Sequence, residues 1–65
     1  MRRKIGLEDL ARIEKWLKEG FDDMWIGQEL GYSNADYKAG WRFRRGLAAL
    51  GYQTSTATRK LERIK

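Results

Sequence analysis

The sequence predicts an all-α fold, a three-helix bundle followed by a short C-terminal helix or a flexible tail. Apolar residues recur every three or four positions along three successive segments, which is the spacing of helices with one buried face. Each segment ends at a glycine (Gly20, Gly31 and Gly51), and glycine readily takes the backbone conformation that closes a helix. A chain of 65 residues has room for one small domain at most.

Helices 1 and 2 follow from this spacing. Helix 1 is predicted over residues 7–19, because its apolar side chains fall on one half of the helix. These side chains are Leu7, Leu10, Ile13, Trp16 and Leu17. Helix 2 is predicted over residues 23–30, with Asp22 as its N-cap and with Ile26 and Leu30 on one face. So short a helix is not stable alone, and we expect it to pack against its neighbours.

Helix 3 is the longest predicted element, over residues 34–50, with Ser33 or Asn34 as its cap. Its apolar stripe consists of Gly40, Phe43, Leu47 and Leu50, with Tyr37 on the shoulder. The opposite side carries Asn34, Lys38, Arg42 and Arg45, with Trp41 on one flank. Gly40 costs about 1 kcal/mol relative to alanine inside a helix. It indicates either the close approach of another helix or a local weakness.

Both ends of the chain are basic and lie outside the predicted helical domain of residues 7–52. Residues 1–6 are predicted as an N-terminal arm, and residues 53–65 as a polar linker with a basic C-terminal segment. Leu61 and Ile64 lie three positions apart. This spacing is compatible with a short amphipathic helix that docks or pairs, and equally with a frayed tail.

The composition excludes several kinds of chemistry. The chain has no cysteine and no histidine, so it has no disulfide, thiol nucleophile, imidazole base or ordinary zinc site. Asp22 and Asp23 are adjacent carboxylates, which at a helix start are typical of capping rather than catalysis. No segment is apolar enough to span a membrane or to form a signal peptide. We therefore expect no enzyme, no metal or other cofactor, no small-molecule substrate and no membrane partner.

The net charge of +5 is unevenly distributed along the chain. Residues 21–34 contain three acids and no cation, whereas residues 35–52 contain four cations and one acid. Residues 53–65 again contain four cations and one acid. Arginine is well suited to phosphate oxygens and guanine edges because its guanidinium donates two parallel hydrogen bonds. A basic stripe on helix 3 thus favours an anionic partner, although such a stripe can also be a solvated face.

The segment from Gly20 to Ser33 contains a recognisable pattern. It resembles the helix-turn-helix signature, in which a capped second helix ends in Leu-Gly before the recognition helix. Ile26 and Leu30 would fill the core, and Gly27 must be small because helix 3 crosses there. Together with helix 1, residues 7–50 resemble the homeodomain-like three-helix group of DNA-binding domains. That group includes Myb/SANT-like domains and the DNA-binding domains of resolvases, transposases and small terminase subunits.

The resemblance implies roles for particular residues. Asn34, Ala35, Lys38 and Arg42 would face the major groove. Arg45 and Ser33 would meet phosphates. Arg2, Arg3 and Lys4 resemble an arm that enters the minor groove, or equally a solubilising terminus. The pattern departs from the group at Gly27, where alanine is usual, and at Tyr37, where valine or isoleucine is usual. Gly40 stands near a position where the group commonly has a large apolar residue. Trp41 and Tyr37 could therefore lie either in the core or on the binding face.

These observations predict a small protein that binds double-stranded DNA and regulates transcription or recombination. A phage- or plasmid-type helical protein that modulates a host protein is the alternative, and RNA binding is a third. Residues 56–65 are the candidate contact for a homodimer, which would add stability and lengthen the DNA site. The expected location is the cytoplasm, associated with the nucleoid, or the host cytoplasm if the protein is phage-encoded.

Overall fold

The computed structural model describes residues 5–64, which form three α-helices followed by an antiparallel β-hairpin. The helices are α1 (Leu10–Lys18), α2 (Asp23–Glu29) and α3 (Ala39–Ala49), and the strands are β1 (Tyr52–Ser55) and β2 (Lys60–Arg63). Short 3-10 helices, Leu7–Asp9 and Ala35–Tyr37, precede α1 and α3. The predicted all-α fold is wrong, because the C-terminal part of the chain makes this a small mixed α/β fold.

The hairpin replaces both predictions for residues 53–65, the linker and the short helix or tail. Tyr52 pairs with Arg63 and Thr54 pairs with Leu61. The turn closes where the backbone N–H of Arg59 donates to the Ser55 carbonyl over 2.7 Å. The run of threonine and serine in this segment suits extended backbone better than helix. Leu61 packs against the core from β2 and is partly buried, while the dimer contact through residues 56–65 stays a prediction.

The third helix begins at Ala39 rather than at Asn34. Asp36 and Tyr37 both have positive φ angles, 57° and 58°, which interrupt the predicted helix of residues 34–50. The connection from α2 to α3 therefore runs over residues 30–38. A helix-turn-helix motif usually has a turn of about three or four residues, so this connection is longer than the resemblance implied.

The core lies where the three helices meet. Its fully buried side chains include Ile13, Ile26, Phe43 and Leu47, and partly buried aromatic rings close one side. On that side Trp25 stacks on Phe21 with 3.8 Å between ring centroids.

Glycine allows α2 and α3 to cross closely. A Cβ atom on Gly27 would overlap the Ala39 carbonyl and would lie 3.2 Å from the Cβ of Phe43. A Cβ atom on Gly40 would lie 3.1 Å from the backbone nitrogen of Met24. The expectation that helix 3 crosses at Gly27 is confirmed, and Gly40 marks a close approach rather than a local weakness.

The hairpin is fastened to α1 and to the turn after it. The Arg59 guanidinium donates hydrogen bonds to the carbonyl oxygens of Leu17 and Phe21, the second over 3.0 Å. Glu14 of α1 accepts a 3.2 Å hydrogen bond from the backbone N–H of Leu61. The hairpin is thus an integral part of the fold. Among residues 5–64, no helix has the length and apolar character needed to cross a membrane.

Candidate nucleic-acid interface

The side of α3 that faces away from the core is basic and aromatic. We use the name α3 face for its exposed residues Trp41, Arg44 and Arg45 together with Tyr37 and Lys38, which directly precede α3. All five side chains are exposed, with exposed fractions of 84% for Tyr37 and 51% for Trp41. The sequence pattern left the two aromatic residues between core and surface, and the structure places both on the surface.

The two arginines of the α3 face have different surroundings. The Arg45 guanidinium lies over the Trp41 ring, 5.2 Å from its centroid, in a cation–π contact. Arg44 forms a 2.8 Å salt bridge with Asp23 at the start of α2. Half of the Arg44 side chain is exposed, so this ion pair adds little stability and is readily exchanged for another anion. Both guanidinium groups remain accessible to a partner.

Arg42 is partly buried and holds the connection before α3 in place. Its Nη1 atom donates to the carbonyl oxygens of Ser33, over 3.0 Å, and of Ala35, over 3.4 Å. The hydroxyl of Ser33 in turn accepts from the backbone N–H of Ala35 over 3.2 Å. This arginine was predicted to face the major groove, but one nitrogen of its guanidinium donates hydrogen bonds to the protein's own backbone.

The remaining predicted site residues divide into three groups. Arg45 lies on the exposed side of α3 beside Trp41, and Lys38 is exposed at the N-cap of α3. Asn34 and Ala35 lie in the connection before α3, not in its first turn, and the buried Oδ1 of Asn34 has no hydrogen-bond partner among the described residues. The predicted arm, Arg2, Arg3 and Lys4, lies outside the described residues.

The acidic residues nearest the α3 face are largely occupied. Asp22 is the N-cap of α2, where its carboxylate accepts a 2.8 Å hydrogen bond from the Trp25 N–H, as the sequence predicted. Asp23 pairs with Arg44. Asp36 is exposed beside Tyr37. The residues of α3 itself include three arginines and no acid, so the middle of the helix is positively charged.

A cleft of about 450 Å³ adjoins the α3 face, and sequence reasoning missed it. Its lining includes Tyr37, Trp41 and Arg44 of the α3 face and Thr54 and Thr56 of the hairpin. Met24, which is 38% exposed, and Phe21 also line the cleft. The sequence did not predict the cleft because the hairpin, which was not predicted, brings residues 54–56 beside α3. Within residues 5–64, no group of three acidic side chains is arranged to hold a metal ion.

No protein family, curated protein or solved structure shows significant similarity to this chain.

Proposed function

We propose that the protein binds double-stranded DNA through the α3 face. The observation that carries the proposal is the exposed position of Arg44 and Arg45 beside Trp41 on one side of a helix whose other side is core, with Lys38 exposed at its N-cap. An α-helix fits the major groove, which is about 12 Å wide. Cations on the exposed side of such a helix can meet phosphates on both rims of the groove.

Charge density favours DNA over a protein partner. Duplex DNA carries about one negative charge per 1.7 Å of axis, and each phosphate that is neutralised releases counterions. Three clustered cations would be costly to remove from water against an apolar protein surface, because each would need its own acidic partner. The protein-modulating alternative and the RNA alternative are therefore outcomes of the test rather than proposals.

The proposed mode of binding differs from the one that the helix-turn-helix resemblance implied. Asn34 and Ala35 precede α3 by several residues, so they do not occupy the first turn of the inserted helix. Lys38 is the N-cap of α3 and is the first cation of the face along the chain. We infer contacts dominated by phosphate, with base reading restricted to the side chains around Trp41. Such a protein would act on DNA in the cytoplasm, in regulation of transcription or recombination.

The test is binding of a fluorescein-labelled mixed-sequence duplex, measured by fluorescence anisotropy at several salt concentrations. Each phosphate contact contributes about −0.9 to the slope of log affinity against log salt, so three contacts predict a slope near −2.7. Lys38→Ala and Arg45→Ala should each weaken binding several-fold and should each reduce the slope by about 0.9.

Lys18→Ala is the matched control, because it removes the same charge from an exposed position at the end of α1. It should leave the affinity within about twofold of the unchanged protein, since it makes no phosphate contact in the proposed mode. The proposal fails if the duplex does not bind at low salt, or if Lys18→Ala weakens binding as much as Lys38→Ala does.

A further inference from the structure

The cleft beside the α3 face has the chemistry of a site for a planar aromatic ring. We infer that it receives an unpaired nucleobase of the bound DNA, stacked on Trp41 and Tyr37. This inference rests on the proposed function and makes it more specific. The bound DNA would be one with a base outside the double helix, such as a bulged duplex or a single strand.

The exposed rings are the first observation. Tyr37 and Trp41 lie four positions apart and expose 84% and 51% of their surfaces, while the other large aromatic side chains of the described chain pack on or in the core. Base stacking on such rings is tolerant of sequence, because every base presents a flat aromatic face. The Arg45 guanidinium already lies over Trp41 in a cation–π contact, so this ring is accessible to a neighbouring group.

The size and polarity of the cleft are the second observation. Its volume of about 450 Å³ falls within the range of about 300–1,000 Å³ that is usual for sites of small organic ligands. The cleft is lined by the ion pair of Arg44 and Asp23 and by the hydroxyl-bearing residues Thr54 and Thr56. An apolar peptide side chain would form no hydrogen bond with the free donors and hydroxyl groups of this lining, whereas the edge of a base can form them.

The surrounding charge is the third observation. Arg45 lies over the Trp41 ring and the exposed Lys38 directly follows Tyr37 in the chain, so both cations are available to neutralise phosphates near an extruded base. Asp22 also lines the cleft, but its carboxylate is committed to the N-cap of α2. Rings for stacking and cations for the backbone are the combination used to bind single strands.

The experiment compares three labelled DNA molecules of equal length and mixed sequence with the full chain at one salt concentration. They are a perfect duplex, the same duplex with a single-nucleotide bulge, and one of its strands alone. Stacking of one base predicts about tenfold tighter binding of the bulged duplex than of the perfect duplex. Trp41→Ala should reduce the ratio of the two affinities to about one, whereas Trp41→Phe should keep most of the preference for the bulged duplex. Lys38→Ala should weaken binding of both duplexes and leave the ratio of their affinities unchanged.

The measured affinities distinguish the binding of an unpaired base from the binding of duplex DNA alone and from a partner other than DNA. A ratio that exceeds one and is lost in Trp41→Ala but kept in Trp41→Phe supports the inference. Equal affinities for the two duplexes, or a ratio that Trp41→Ala leaves unchanged, overturn the inference and leave duplex binding in place. Absence of binding to all three molecules overturns both proposals and points to a protein or RNA partner. Circular dichroism of each variant verifies that the helices are intact, which is expected because Trp41 is exposed.

Discussion

Replacing Asp36 by glycine and by alanine tests the irregular connection before α3. Asp36 has φ 57° and ψ 26°, which is the left-handed helical region. An ordinary L-residue costs about 1–2 kcal/mol there, and aspartate lies toward the low end because its short side chain tolerates this conformation. Glycine has no Cβ, so it adopts this conformation without the steric cost. Part of the gain in stability is lost because glycine also makes the unfolded chain more flexible. We expect Asp36→Gly to raise the free energy of unfolding by about 0.5 kcal/mol.

Asp36→Ala should have the opposite effect. Alanine keeps the Cβ and lacks the polar side chain that makes the left-handed region tolerable, so we expect a loss of about 0.5–1 kcal/mol. The free energy of unfolding of the glycine variant should therefore exceed that of the alanine variant by about 1–1.5 kcal/mol. If residues 34–50 formed one continuous helix, the order would invert, because alanine is favoured over glycine by about 1 kcal/mol inside a helix.

Urea unfolding followed by tryptophan fluorescence measures this difference, since Trp16 and Trp25 are partly buried against the core. Ala48→Gly is the control, because Ala48 is exposed within α3 and glycine should lose about 1 kcal/mol there. The reasoning is refuted if Asp36→Ala proves more stable than Asp36→Gly. A difference of 1 kcal/mol corresponds to about 4–8 °C in melting temperature for a domain of this size, well within measurement.

Two further predictions concern stability, and thermal melting followed by circular dichroism measures both. Gly27→Ala should lower the free energy of unfolding by about 1–3 kcal/mol, because its Cβ meets the rigid backbone at the start of α3. Gly6→Ala meets only the mobile end of an exposed glutamate, so a loss as large as that of Gly27→Ala would contradict the packing argument. Arg59→Gln should cost about 1.5–3 kcal/mol by removing charged hydrogen bonds to two backbone carbonyls. The neighbouring exposed Lys60→Gln should change stability by less than about 0.5 kcal/mol, and equal effects would rule out the anchoring role.

The buried faces of the helices could be predicted from the sequence because their spacing is local information. Phe43 and Leu47 repeat at helical intervals, and the structure buries both completely. The need for a small residue at Gly27 followed from the resemblance to the helix-turn-helix signature. The start of α3 could not be predicted in this way, because Asn34 is a good cap and nothing nearby forbids a helix. Its actual start is associated with tertiary contacts, among them the hydrogen bonds from Arg42 to the connection.

The hairpin could not be predicted because its attachment to α1, through Arg59 and Leu61, joins residues that are far apart in the chain. Leu61 and Ile64 have a spacing that also fits a helix, and only Leu61 packs on the core. For the candidate site, the cations of helix 3 were predicted, but not their surroundings. The stacking of Arg45 on Trp41 and the cleft beside them depend on side-chain conformations and on the hairpin, neither of which the pattern encodes.

The attachment of Arg59 to Leu17 has a consequence for the order of folding. The two residues are 42 positions apart, and the nearby contact between Glu14 and Leu61 spans 47 positions. Closing a loop of that length costs more chain entropy than the local pairing of α2 with α3. We therefore expect α2 and α3 to associate first and the hairpin to close over α1 last. The first helix would then gain its final stability from a segment near the other end of the chain, so that the molecule folds as one cooperative unit.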